Sequence, residues 1–117
     1  MKREMCDKAL AAHASWKAKF RKFLAGELGL DLAVAEKHNG CEFGRWLEGE
    51  GRGHLSPQEH AAIHSAHAAF HKAVGGVIRA KQAGDTRSAV AALAVDGAFS
   101  KASVALTQLV TKARDAA

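Results

Sequence analysis

Four histidines fall within twelve residues, at His60, His64, His67 and His71, spaced four, three and four apart. At about 100° per residue they lie in a stripe about 60° wide on one helical face. Val74 and Ile78 continue that stripe. Read as a helix, the segment lines one face with imidazoles, a poor way to build an apolar seam, so they must meet something other than plain apolar packing. Two i,i+4 pairs, His60/His64 and His67/His71, each place two ring nitrogens about one turn apart, close enough to share one ion.

The rest of the chain reads as helix too. Of 117 residues, 48% are hydrophobic, many of them Ala, with one Pro and no Tyr, so strand formers are sparse. A first helix is expected from Lys2 to Ala25 on the repeat Leu10, His13, Trp16, Phe20 and Phe23 or Leu24, ended by Gly26 and Gly29. Residues 30–39 form a connector, and a short helix from Cys41 to Leu47 is stopped by the glycines of GEGRG at 49–53. SPQE at 56–59 supplies Ser56 as N-cap, Pro57 in the first turn and Glu59 to close a capping box. The helix it opens should reach Gln82 or Ala83, with Gly75-Gly76 leaving room for a neighbour. Gly84-Asp85 is a stop followed by a cap. A last helix is expected to run on to Arg114 with the stripe Val95, Phe99, Ala102, Leu106 and Leu109. Short connections predict an all-α fold: an antiparallel four-helix bundle, one domain over residues 1–117, with a short extra helix carrying Cys41.

The net charge of +5 reflects seven basic residues in the first 22 positions, a solvated helix face rather than a nucleic-acid surface. No continuous apolar run approaches the roughly 18 residues that span a bilayer. The charged start Met1-Lys2-Arg3-Glu4 lacks a signal peptide's apolar core. The expectation is a cytoplasmic protein without nucleic-acid or membrane partners. There a metal or redox role for at least one of Cys6 and Cys41 fits better than a disulfide between them.

A zinc ion prefers four Cys or His ligands in a tetrahedron. Either histidine pair supplies two. Cys41, heading the short helix, and His13, within the apolar stripe of the first helix, are available as the others. Several unpaired imidazoles are costly to bury, and a shared ion satisfies them together. Gly44, one turn beyond Cys41, leaves room for a neighbouring helix, while Phe43, Trp46 and Trp16 are expected to wall the site and hold its ligands.

HASW at 13–16, CEFGRWL at 41–47 and HAAFH at 67–71 together resemble the chemoreceptor zinc-binding (CZB) domain family over residues 6–80. The family pattern is His followed by an aromatic, then Cys-x-hydrophobic-Gly-x-aromatic, then His-x-x-x-His. The resemblance implies zinc ligands at His13, Cys41, His67 and His71. Twenty residues separate Trp46 from His67, which suits the family, whereas thirteen separate it from His60. His64 is then a supporting neighbour and His60 lies near the surface, where its substitution should leave binding nearly intact. His38 and His54 have no assigned role.

A closed site of one cysteine and three histidines leaves no open position for zinc-bound water, and no nucleophile triad, paired-carboxylate site or phosphate loop offers another chemistry, so no enzyme is expected. The resemblance implies a homodimeric regulatory domain of bacterial chemoreceptors or diguanylate cyclases that responds to zinc or to oxidants such as hypochlorous acid, with Cys41 as the redox-reactive thiolate. A purely structural zinc site is the first alternative. A haem or hemerythrin-like di-iron bundle is the second, though Glu59 is the only acidic residue between Glu50 and Asp85.

Overall fold

The structure is a computed structural model that describes residues 2–27, 29, 42–94 and 96–115. Among these, helix is the only extended secondary structure. The expected connector at 30–39, Cys41, His38 and Val95 lie outside the described residues.

The first helix is two segments of one rod, α1 (Lys2–Ala14) and α2 (Trp16–Leu24). Ser15 between them keeps helical dihedrals, φ −66° and ψ −19°, and its backbone continues the ladder from Ala11 to Lys19. Its hydroxyl donates to Ala12 O at 2.6 Å. Such back-bonding competes for a helical carbonyl and interrupts an otherwise regular turn. Gly26, at φ +81°, ends the rod. Its N–H donates to Phe23 O, and Glu27 N–H donates to Lys22 O, a Schellman closure that needs a left-handed residue.

A short helix α3 (Glu42–Glu48) is followed by a 3-10 turn at Glu50–Gly53. The histidine helix α4 (Pro57–Gln82) starts at Ser56 with a reciprocal capping box: the Ser56 hydroxyl accepts from Glu59 N–H, and Ser56 N–H donates to the Glu59 carboxylate. It ends in a second Schellman closure at Gly84, φ +81°. Gly75 is buried, but Gly76 is exposed, and a Cβ added there would meet nothing within 4 Å. Gly76 therefore has no close neighbour, contrary to what was expected of it.

The last helix is not continuous. It divides into α5 (Thr86–Leu93), capped by Asp85 accepting from Ser88 N–H, and α6 (Ala98–Asp115). At the break, Gly97 lies so close to the end of α5 that an added Cβ would collide with Ala91 O and Ala92 O. Ser100 donates to Leu93 O, satisfying a carbonyl the break exposes. The helical period continues across Asp96-Gly97, so periodicity alone conceals the break. By length and composition, residues 86–115 include a window apolar enough to cross a membrane, although no continuous apolar run does. Alanines raise its average.

α4 packs on α5 and α6, α1 packs on α6, and α3 rests on α1 and α4. α1 and α6 run antiparallel: Asp7 meets Arg114 at 3.1 Å, while His13 and Lys17 face Ser100–Val104. The buried face of α1 is Cys6, Ala9 and His13, with Leu10 half-buried beside them and Trp16 half-buried at the start of α2, and that of α6 is Phe99, Leu106, Val110 and Ala113. Phe20 of α2 and Phe70 of α4 meet on Phe99, with ring centroids 5.1 and 5.4 Å away. This aromatic junction closes the core beside the histidines.

Candidate metal centre

α4 presents His67 and His71 one turn apart on its buried face, 0% and 3% exposed, and α1 brings His13 to them from the other side, 8% exposed. His13 Nδ1 is bonded to Ala9 O at 2.6 Å. A carbonyl only accepts, so Nδ1 carries the hydrogen and Nε2 of the neutral ring is a lone pair directed into the cluster. Burial pushes the His13 pKa down to about 4, against the opposing effect of the Ala9 bond and with help from the charges of His71 and Lys19. The ring is neutral at pH 7.

His67 Nε2 stands 3.2 Å from His13 Nε2 and 3.1 Å from His71 Nε2. All three candidate ligand atoms lie within 4.8 Å of one another. One N–H on His67 Nε2 can point squarely at only one of these neighbours, so protons alone satisfy the triangle poorly. A shared cation satisfies all three. Two nitrogens each about 2.05 Å from a tetrahedral ion stand about 3.3 Å apart, close to the spacings found. The donor set therefore fits zinc, with its His13 lone pair already fixed in tautomer by the backbone.

Aromatic rings wall the cluster. Phe43, on α3, sets its ring edge-to-face with His67 at 5.1 Å and with His13 at 5.9 Å. Phe70 does so with His13 at 4.9 Å and His71 at 5.6 Å. Trp46 stacks on Phe43 from behind, and His54 stacks on Trp46. Gly51 of the 3-10 turn lies flat against Trp46, where an added Cβ would approach the indole to 2.7 Å. Gly44 is buried within α3. Trp16 is half-buried, its ring against Phe20 at 5.4 Å with Lys19 Nζ above it. A groove of about 230 Å³ between α1 and α6 includes His13, Lys17 and Ser103 in its lining, so the least buried of the three imidazoles borders on open space.

The structure thus brings His13, His67 and His71 together and leaves the other pair apart. His64 is half-buried and stacks on His60 at 6.0 Å. His60, expected near the surface, is half-buried and donates from Nε2 to Leu47 O at 2.7 Å. Cys41 falls outside the description, one residue before α3 in sequence. Sequence reasoning assigned no site role to Phe70, Gly51 or the Ala9 carbonyl. The hydrophobic position directly before His71 was a signal for Phe70. Nothing local signals the other two, whose roles arise from packing.

Comparison with curated proteins and with solved structures gives no match for this chain. Residues 13–78 match the family model of the chemoreceptor zinc-binding domain, from the first of the clustered histidines to seven residues past the last. With more than half its length matched, and three histidines of that span converging on one point, the chain belongs to the chemoreceptor zinc-binding domain family.

Proposed function

We propose that this domain is a zinc-dependent sensory module in which His13, His67, His71 and Cys41 hold one zinc ion, and in which loss of zinc or oxidation of Cys41 alters how α1 seats against α4. The observation that carries the reading is the convergence of three ring nitrogens from two helices at 3.1 and 3.2 Å. Zinc supplies the charge that satisfies these lone pairs and keeps the thiol deprotonated. The chain's own residues do the rest. Ala9 O sets the His13 tautomer, and Phe43 and Phe70 exclude water around the rings. His13 couples α1 to the pair on α4, so a weakened ligand set loosens that join.

A Cys41 thiolate displaces chloride from hypochlorous acid: the S–O bond forms, the O–Cl bond breaks, and sulfenic acid and chloride result. Cys6, 1% exposed in the core, is shielded from the same reagent. Four protein donors leave no position for a reacting water, so the role is binding and signalling rather than catalysis. The proposed setting is a cytoplasmic homodimer that passes its state to a chemoreceptor signalling region or a cyclase output domain.

Metal analysis and zinc competition with a chromogenic chelator, on wild type beside Cys41→Ser, test this. One zinc per chain, held more weakly by Cys41→Ser, supports the reading. Haem or iron in the purified protein, or no zinc at all, refutes it. Stoichiometric hypochlorous acid then separates sensor from staple: the sensor reading expects oxidation of Cys41 before Cys6, zinc release and little loss of helix by circular dichroism. A Cys41 that stays reduced while Cys6 reacts leaves a purely structural zinc site.

A further inference from the structure

The second histidine pair is left without a task by the metal centre, and His60 has the more specific contact. α3 is seven residues long, and its final carbonyls have no partner within the helix. Gly49 N–H serves Arg45 O and Trp46 O at 3.1 and 3.2 Å. Arg52 Nε donates to Glu48 O at 3.0 Å. Leu47 O is served from another element, by His60 Nε2 of α4 at 2.7 Å. The carbonyl can only accept, so the ring nitrogen carries the hydrogen.

This bond fixes one end of α3 on the histidine stripe. One turn earlier on α3, Phe43 lies against His67 and His13. His60 and His67 share that stripe two turns apart on α4, so the short helix is held at its end and meets the candidate ligands nearer its start. We propose that His60 is a positioning residue: by anchoring Leu47 O it seats Phe43 against the imidazoles of His13 and His67 and so strengthens metal binding. The inference rests on the zinc reading above and revises the expectation that His60 is dispensable.

The test measures zinc affinity by chelator competition, and the urea midpoint of the zinc-free chain, for wild type, His60→Ala, His60→Gln, Phe43→Ala and the double variant His60→Ala/Phe43→Ala. Loss of one partly buried hydrogen bond predicts binding roughly 3- to 10-fold weaker in His60→Ala. A Gln amide nitrogen can occupy the place of Nε2 and donate to Leu47 O, so His60→Gln should stay within about twofold of wild type. In the Phe43→Ala background the His60 substitution should add less than about twofold, because contacting residues of one unit do not act additively. Should His60→Ala fail to fold, His60→Leu keeps apolar bulk while removing the donor and takes its place. Wild-type affinity in the donor-less variant, an equal loss in both backgrounds, or no rescue by Gln overturns the inference while leaving the zinc reading standing. A wild-type chain without zinc affinity overturns both.

Discussion

At His13, the burial that prepares a ligand also creates a pH dependence. Its folded pKa, about 4, lies below the ordinary histidine value of 6.5, chiefly because burial disfavours the imidazolium. Between those values the unfolded chain binds a proton that the folded chain refuses, so stability rises with pH across the window. The contribution is intact above pH 6.5 and is lost as pH falls toward 4, by up to about 3 kcal/mol. Urea unfolding of chelator-treated protein should give a lower midpoint at pH 4.5 than at pH 7.5, and His13→Leu should flatten the difference; equal slopes for the two proteins would refute the assignment. Zinc itself reads out the neighbours. His67→Ala or His71→Ala should weaken binding by more than the roughly 10- to 100-fold typical of outer-shell partners, since each removes a donor. Equilibrium competition checks this, and a His71→Ala protein that binds like wild type would remove His71 from the site.

The helices show which features act locally and which need a neighbour. Ser56, Gly26, Gly84 and Asp85 perform the capping tasks their positions suggest, because a cap involves only residues a few positions apart. Gly97 is different. Its need for a missing side chain comes from the backbone of α5 turning back on it, which helical periodicity does not reveal. Two glycine substitutions should therefore move stability in opposite directions. Gly97→Ala forces a methyl into Ala91 O and Ala92 O and should cost on the order of 2 kcal/mol or more. Gly76→Ala lies in an exposed helix interior with open space around it, and should gain about 0.5–1 kcal/mol. Thermal melts of the two variants distinguish them, and a Gly97→Ala protein as stable as wild type would mean the close approach of Gly97 to α5 is relaxed in solution.

For the whole molecule, two large apolar side chains among the described residues stand exposed. The sequence also offers Val90, Leu93, Gly97 and Val104 as a second, weaker face of the last helix; Val90 on α5 and Val104 on α6 are 54% and 55% exposed, while Leu93 is half-buried. Gly97 is covered by the α5 backbone, and the break between α5 and α6 divides that face in two. A two-fold homodimer covering these valines would bury apolar area that one small bundle leaves in water. Light scattering at micromolar concentration should give twice the chain mass, and Val104→Asp should shift it toward the monomer. A monomeric wild type would remove the proposed assembly.

The helical class, the cap positions and the stop at Gly84 were readable in the sequence because each depends on composition or on residues within a turn or two. The family resemblance was readable as well, since three separated motifs carry it. What local pattern left degenerate was the choice between His60/His64 and His67/His71. Both have the same i,i+4 geometry, and any helix displays both equally well. The three-dimensional structure separates them by contact across 54 residues of chain: His13 of α1 reaches His67, while α3 occupies the other end of the stripe and takes up His60. A single helix decides which side chains share a face. Only the packing of α1 and α3 on that face decides which of them meet a third imidazole and which bind a carbonyl.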